Sequence, residues 1–528
     1  MACDWRADRG CVAGAGRLGV TIVQGAPAGA PSVPVVIIGG GACGMVAALT
    51  LADAGIACVV LERDVLPQGS TALSSGFIPA CNTRWQRALE AASEDQPGAK
   101  PGGMPGGASG GKSESTADSA ALLASDIEHK NHHGSDPAVT RAVCAASGPT
   151  LEWLAGTHDI EFHVIEGFLY PGHSVARMHA VAEKTGAGLI GRLTQALERA
   201  SQHANVTLLT SAHVTALFAS GDRITGVRIS RPGGTHEDTG CGALLLACNG
   251  FGGNRVMVEQ YLPEIANATY AGHSGNQGDA MLWGQALGAQ LADMGAYQGH
   301  GAWATPHGAL VTWALMMEGG IQVNAEGRRF WNEHEGYSEA SQHVIAQPGG
   351  FAWNVYDARL HALGMTFPDY AELFKTAAMK CSETLGGLAS QMQMPQEALV
   401  STVCEVVAWQ QGNAAGAAGS ATSNSRCPFG RDFAAKPALQ APYYAVKVTG
   451  ALFHTQGGLA IDAHARVLKQ DGTPFPNLYA GGGAARGLSG AHVWGYLSGN
   501  GLLSAVALGR IAAQHLAAQL DPAKATPV

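Results

Sequence analysis

The sequence predicts an α/β fold built on a Rossmann-like nucleotide-binding unit, and three observations predict it. Residues 35–38 and 58–61 are short apolar runs of β type, and residues 43–54 between them are Ala/Leu-rich with helical spacing, which makes a βαβ unit. Gly39-Gly40-Gly41-Ala42-Cys43-Gly44 places G-x-G-x-x-G directly after the first strand. Glu62 closes the second strand, 21 residues after Gly41.

Each part of that unit has a physical task. Gly39 makes the tight turn, Gly41 lets the backbone approach a pyrophosphate, and Gly44 lets the helix pack closely on the strand. The helix then opens at Ala42 and Cys43, where unpaired N–H groups and a partial positive charge face the phosphates. Glu62 is placed to accept hydrogen bonds from ribose hydroxyls. Alone, this unit specifies only a dinucleotide. Two later segments return a strand to a glycine turn: 244–254 (LLLACNGFGGN) and 478–483 (LYAGGG). Their return to one nucleotide site is the pattern expected of a long, extended cofactor, which favours FAD over NAD.

Further elements follow. Residues 136–156 and 182–203 read as amphipathic helices. Residues 213–218, 224–229 and 243–247 read as strands, the first two joined by the hairpin signal Ser220-Gly221-Asp222. Near the C-terminus 458–461, 465–468 and 478–480 read as strands, and a helix runs from about 501 to 519. Residues 96–118 and 412–428 are rich in Gly, Ala and Ser and read as mobile surface inserts. Residues 1–32 read as a disordered extension and 517–528 as a tail.

Composition excludes several classes. The 528-residue chain is 46% hydrophobic and 14% charged with a net charge of −9, so it buries a large core and repels phosphate backbones; no nucleic-acid partner is expected. Eleven scattered cysteines include no CxxC or CxxCH, which argues against a zinc ribbon, a c-type haem or any other metal site. Free cysteines fit a reducing cytoplasm. Every long apolar stretch is broken by glycine or charge, so no membrane span is expected.

Beyond the glycine loop, the chain resembles the flavoprotein subunits and soluble relatives of fumarate reductase and succinate dehydrogenase, a group that includes the 3-ketosteroid dehydrogenases. The resemblance covers roughly 33–516. It rests on LLLACNGFGGN, on NQGDAMLWGQALGAQLADM (276–294), on VNAEGRRFWNE (323–333), on FHTQGGLAID (453–462) and on LYAGGGAARGL (478–488). It implies a Rossmann-like FAD-binding domain, 33–295 plus 450–516, interrupted by a smaller α+β capping domain over 296–449 that closes over the substrate. It also implies hydride transfer at flavin N5. Around the cofactor it implies contacts from Glu62 and Arg63, from Ser70, Thr71, Ser75 and Gly76, and from Val214, Asn249, Gly250 and Asp279. Gly482, Gly483, Gly499 and Leu502 complete the set. Many relatives have an acid where this chain has Gly483, and backbone groups take its place. The loop after the second strand offers Ser70 and Thr71 and no histidine, so FAD is expected to be non-covalent.

For the substrate, the resemblance assigns His454 and, at the position of a second substrate histidine, His300. Each has a purely structural alternative: a histidine under the flavin for His454 and a loop histidine for His300. The departures point further. The fumarate reductases' catalytic arginine falls on Tyr337, their proton-relay Glu and Arg fall on Trp313 and Met316, and a second carboxylate-binding arginine falls on Val493. An arginine clamps a carboxylate by a bidentate fork that tyrosine and valine cannot reproduce. Ketosteroid dehydrogenases use a tyrosine acid/base, so Tyr337 is the first candidate for proton transfer and Tyr496 the second. Arg177 or His179 could reach the flavin or substrate; otherwise they form a surface turn. The expected reaction is oxidation or reduction of a C–C bond conjugated to a carbonyl, on an apolar ketone or enone, with an unidentified electron donor or acceptor. The alternatives are reduction of a small unsaturated acid and a flavin-binding protein without catalysis.

Overall fold

The computed structural model describes residues 20–94, 118–166, 169–411, 427–433 and 436–520. Its centre is the predicted unit: β2 (Ser32–Ile38), helix α1 (Ala42–Asp53) and β3 (Cys58–Leu61) follow β1 (Thr21–Gln24) in the chain. Val35, Val36 and Ile37 are fully buried, as a parallel strand covered on both faces requires. The main sheet has nine strands. In order, β1, His213–Ser220, Arg223–Ser230, His236–Leu246, β2, β3 and Val206–Leu209 lie side by side. The late strand Pro474–Ala480 pairs in parallel with His236–Leu246, matching Leu244 to Leu478. Residues more than 200 apart thus bring both later glycine turns to the carboxyl ends of the central strands, where ligands of open α/β sheets bind.

The long helix Asn500–Leu520 packs on α1 and begins beside the same strand ends. It is the one described helix long and apolar enough to cross a membrane, and half of its apolar window is buried inside the fold. Side-chain caps set other boundaries. Asp136 accepts from Ala138 and Val139 N–H at the start of Pro137–His158, and Thr185 accepts from Gly188 N–H at the start of Gly186–Ser201.

A second sheet of seven strands centres on Tyr443–Thr455, which pairs antiparallel with Tyr297–Ala304 and Phe351–Asp357. Two apolar clusters form, one around the main sheet and one around the second. Tyr496 comes from the return segment yet belongs to the second cluster, so the chain recrosses between the two cores at that residue.

Four expectations are corrected. Residues 20–32 are not a disordered extension. The β-branched run Thr21-Ile22-Val23 adds an edge strand parallel to His213–Ser220, and Gly25 N–H donates to the Ala219 carbonyl at 2.8 Å; residues 1–19 lie outside the described residues. At the end of the insert over 96–118, Asp118 is buried because it carries charge opposite Arg177, while 96–117 lie outside the described residues. At the end of 412–428, Cys427 is buried in the second core beside Arg329, while 412–426 lie outside. Of the expected tail over 517–528, residues 517–520 continue the last helix, because Leu516 and its neighbours still pack on the core; 521–528 lie outside the described residues.

Candidate functional site

The two cores face each other across a cavity of about 820 Å³. It runs from the glycine loop and Glu62, past Thr71 and Asn249, to Tyr337 and Tyr496. Of the residues expected at the cofactor and substrate, all but Gly44 and Gly250 line it.

At the nucleotide end the wall is backbone. Gly39 sits at φ +112°, and a Cβ there would stand 2.4 Å from the Ala247 carbonyl oxygen. At Gly44 a Cβ would stand 1.9 Å from the Gly39 carbonyl oxygen, so this glycine lies behind the wall and seats α1 on the turn. Gly41 faces only the Thr71 hydroxyl, which leaves its approach open to a ligand. The Glu62 carboxylate accepts from Gly40 N–H and from Asp64 N–H, each at 2.9 Å. Two carboxylate oxygens offer about four acceptor positions, so capacity remains for ribose hydroxyls. Arg63 donates to the Gly275 carbonyl at 2.8 Å along the same wall.

Gly250 is not among the residues that line the cavity; a Cβ there would stand 2.0 Å from the Thr455 hydroxyl. Its neighbour Asn249 is the active member, donating to the Ser70 hydroxyl at 2.6 Å. A Cβ on Gly483 would stand 2.1 Å from Asn249 Oδ1, so the asparagine side chain occupies the room an acid would need there. The amino ends of α1 and of Asn500–Leu520 both open into the cavity. Two helix amino ends, an acid with spare acceptors and an open glycine approach fit the phosphates, ribose and electron-poor ring of FAD.

At the other end the wall is aromatic. His300 stacks on Tyr337 and on Phe453 at centroid distances of 4.9 and 5.5 Å, with Trp313 edge-on. Ala302 N–H donates to His300 Nδ1, so the ring proton sits on Nε2. Burial holds His300 at about 3 and His454 at about 4, so both rings are neutral at neutral pH. His454 is wedged between Tyr496 and the last helix, where a Cβ on Gly501 would stand 2.8 Å from its Nε2.

Tyr337 opens the helix Tyr337–Ile345 and meets Tyr496 edge-on with centroids 6.1 Å apart. Burial pushes the Tyr337 phenol up to about 12, against hydrogen bonds from Ser498 and Tyr496 that favour its anion. Tyr496 is pushed higher still, by burial and then by its neighbour Tyr337. Both phenols are therefore protonated at neutral pH.

Trp313, Met316 and Val493, the positions the resemblance assigned to charged residues of fumarate reductases, are all buried. Trp313 Nε1 donates to the Glu333 carbonyl at 3.2 Å. Among the described residues, the stretch 296–449 brings no arginine or lysine to the cavity. Arg177 and His179 do not line it either. Arg177 is buried between Asp118 and Asp126, and His179 shares a 2.7 Å hydrogen bond with the Thr83 hydroxyl, so both support structure, and neither forms a surface turn. Tyr170, Phe453 and Ser498 join the aromatic end unforeseen. Tyr170 lies in a loop with no surrounding pattern. Ser498 sits in the glycine-rich run beside Tyr496, which could have flagged it.

The sequence matches the FAD binding domain family over residues 34–502. An NADH:fumarate oxidoreductase from Klebsiella pneumoniae is 25% identical over 476 residues, 90% of this chain and 46% of that protein, so the chain spans about half of this longer relative. A 3-oxosteroid 1-dehydrogenase from Mycobacterium tuberculosis is 28% identical over 384 residues, 64% of this chain and 65% of that one. A solved 3-ketosteroid Δ4-(5α)-dehydrogenase from Rhodococcus jostii shares the fold with a TM-score of 0.67 at 23% identity, over 92% of this chain and 97% of that one. The cradle, the cavity and the match over most of its length make this chain a member of the FAD binding domain family.

Proposed function

We propose that this enzyme moves hydrogen across a C–C bond conjugated to a ketone carbonyl, on an apolar substrate, with Tyr337 carrying the proton. The observation that supports it is the aromatic end of the cavity, where Tyr337 and Tyr496 meet edge-on and 296–449 supply no cation. A dicarboxylate would leave its charge unpaired against that wall, at a cost of several kcal/mol on the order of an unpaired buried ion.

FAD, when bound, supplies the acceptor or donor of the hydride. The chain's own groups do the rest. In reduction Tyr337 donates its phenolic proton to the carbon next to the carbonyl, and the Tyr496 and Ser498 contacts hold the anion left behind. In oxidation the same anion takes that proton back. Stacked His300 and Phe453, with Trp313 edge-on, exclude water and give the substrate a flat apolar face. FAD is held without a covalent bond, since the segment 68–76 offers only serine and threonine hydroxyls at the wall.

The test is an acceptor panel. Photoreduced enzyme is mixed anaerobically with 4-androstene-3,17-dione and other conjugated ketones, and in parallel with fumarate and urocanate, and flavin absorbance is followed. Reoxidation by the ketones and none by the acids is expected. Rapid reoxidation by either acid would overturn the substrate class.

A further inference from the structure

Behind the tyrosine pair, outside the cavity, stands a polar assembly with no role so far. Lys130 ends the helix Ala120–Lys130 of the first core, and its ammonium donates to two points of one turn in the second. One is the Glu335 carbonyl at 3.0 Å, the other the Glu339 carboxylate. Tyr337 lies midway between them in sequence and starts the helix.

The turn has little freedom to re-form otherwise. Gly336 sits at φ +143°, and a Cβ there would stand 2.6 Å from Glu339 Oε2, so the carboxylate lies against the backbone that carries Tyr337. Glu339 is 7% exposed, its Oε2 has no hydrogen-bond partner, and Lys130 is its ion-pair partner. Removing one partner of a buried pair leaves an uncompensated charge, which the turn relieves by moving or by protonation. Burial already raises the Glu339 carboxyl to about 7 with Lys130 in place.

The same assembly holds the other tyrosine's loop. The Lys130 stem runs beside Gly172, where a Cβ would stand 3.7 Å from its Cδ and 2.5 Å from Leu497 Cδ1. The next residue, buried His173, donates from Nε2 to the Ser498 carbonyl at 2.9 Å, which fixes its tautomer because a carbonyl only accepts. Lys130 thus grips the turn that carries Tyr337, and its stem runs beside the Gly172-His173 segment that packs on Leu497 and binds Ser498.

We propose that Lys130 is a positioning residue for Tyr337, gripping the Glu335 carbonyl and the Glu339 carboxylate so that the phenol stays aimed at Tyr496 and Ser498. Its catalytic consequence rests on the reading of Tyr337 as proton carrier; the positioning itself does not.

The experiment places 3-fluorotyrosine at position 337 of the full-length holoenzyme and records fluorine NMR in the wild-type, Lys130→Met and Lys130→Arg backgrounds. One narrow resonance is expected in the wild type, a shifted or split one in Lys130→Met, and the original in Lys130→Arg. A Lys130→Met spectrum that superimposes on the wild type overturns the proposal, whatever its melting temperature does. If Lys130→Met does not fold with FAD, Glu339→Gln is measured in its place, with the same expectation of a moved resonance and the same overturning result. In parallel, reoxidation by 4-androstene-3,17-dione is expected to slow about 10- to 100-fold in Lys130→Met with its half-saturating concentration nearly constant. If Tyr337→Phe leaves that rate untouched, the proton-carrier reading falls while the resonance still decides the role of Lys130.

Discussion

At the nucleotide end of the cavity the wall is main chain: a turn with no room for side chains at Gly39 and Gly44, helix amino ends, and one carboxylate fastened to backbone N–H groups. At the aromatic end it is side chain: His300, Tyr337, Phe453 and Tyr496 packed together from four separate stretches of sequence. Phosphate and ribose are the same in every relative, so a backbone cradle serves them all. Substrates differ, and a wall of side chains can change one residue at a time. A change at Tyr337 would alter the chemistry of one end without touching the other.

That contrast can be broken most violently at Gly44. A side chain there meets the Gly39 carbonyl, which the turn cannot move, so Gly44→Val is expected to cost more than about 3 kcal/mol and to yield little folded, flavin-containing protein. Flavin content and a thermal melt read it. Gly41→Ala sharpens the point: its Cβ meets only a hydroxyl at 3.3 Å, so the fold is expected to survive while FAD binding weakens.

At the other end, Tyr337→Phe is expected to keep its FAD and fold and to lose about 10²- to 10⁴-fold in turnover of a conjugated ketone, the usual worth of a positioned acid or base. A loss of FAD instead would erase the separation between the two ends. Between these lies Glu62→Gln, expected to weaken FAD binding about 10- to 100-fold, or roughly 1.4–2.8 kcal/mol, with the rate of the loaded enzyme unchanged. Fluorescence titration of the apoprotein measures it.

The smallest effect concerns the core behind the aromatic wall. Glu333 is fully buried; burial opposes its charge, but Arg431 and Arg329 outweigh that and hold its carboxyl down at about 2. A depressed folded pKa contributes stability that is present above the unfolded value and lost as pH falls through the folded one. The second core is therefore expected to weaken as pH falls from about 4.5 toward about 2. Tryptophan fluorescence from Trp313 and Trp331 should report it before the main sheet melts. A Glu333→Gln variant that unfolds at the same pH as the wild type would assign the acid transition elsewhere.

The contrast also explains what was legible in the sequence. The glycine loop, Glu62 and the strand–helix–strand around them could be read because their partners are close in the chain and few residue types satisfy a tight turn. The edge strand Thr21–Gln24 was missed because its pairing partner, Ala216 onward, is some two hundred residues away, and four residues carry no period. Of the expected neighbours Asn249 and Gly250, only Asn249 lines the cavity, because adjacent residues look to opposite sides of the backbone. Tyr337 was found only because a family position could be counted to it. Tyr170 and Lys130, with no motif around them, become visible only when the chain is folded.

The central claim is that the Tyr337 phenol carries the proton, and single-turnover kinetics against pH tests it most directly. A phenol near 12 is protonated throughout the neutral range. Reoxidation of reduced flavin by a conjugated ketone, which uses the phenol, is predicted to be flat between about pH 6 and about pH 9. Flavin reduction by the saturated ketone, which uses the phenolate, is predicted to rise about tenfold per pH unit over that range. Both should collapse in Tyr337→Phe. An inflection near about pH 6–7, in the histidine range, that persists in Tyr337→Phe would contradict the account and hand the proton to another group.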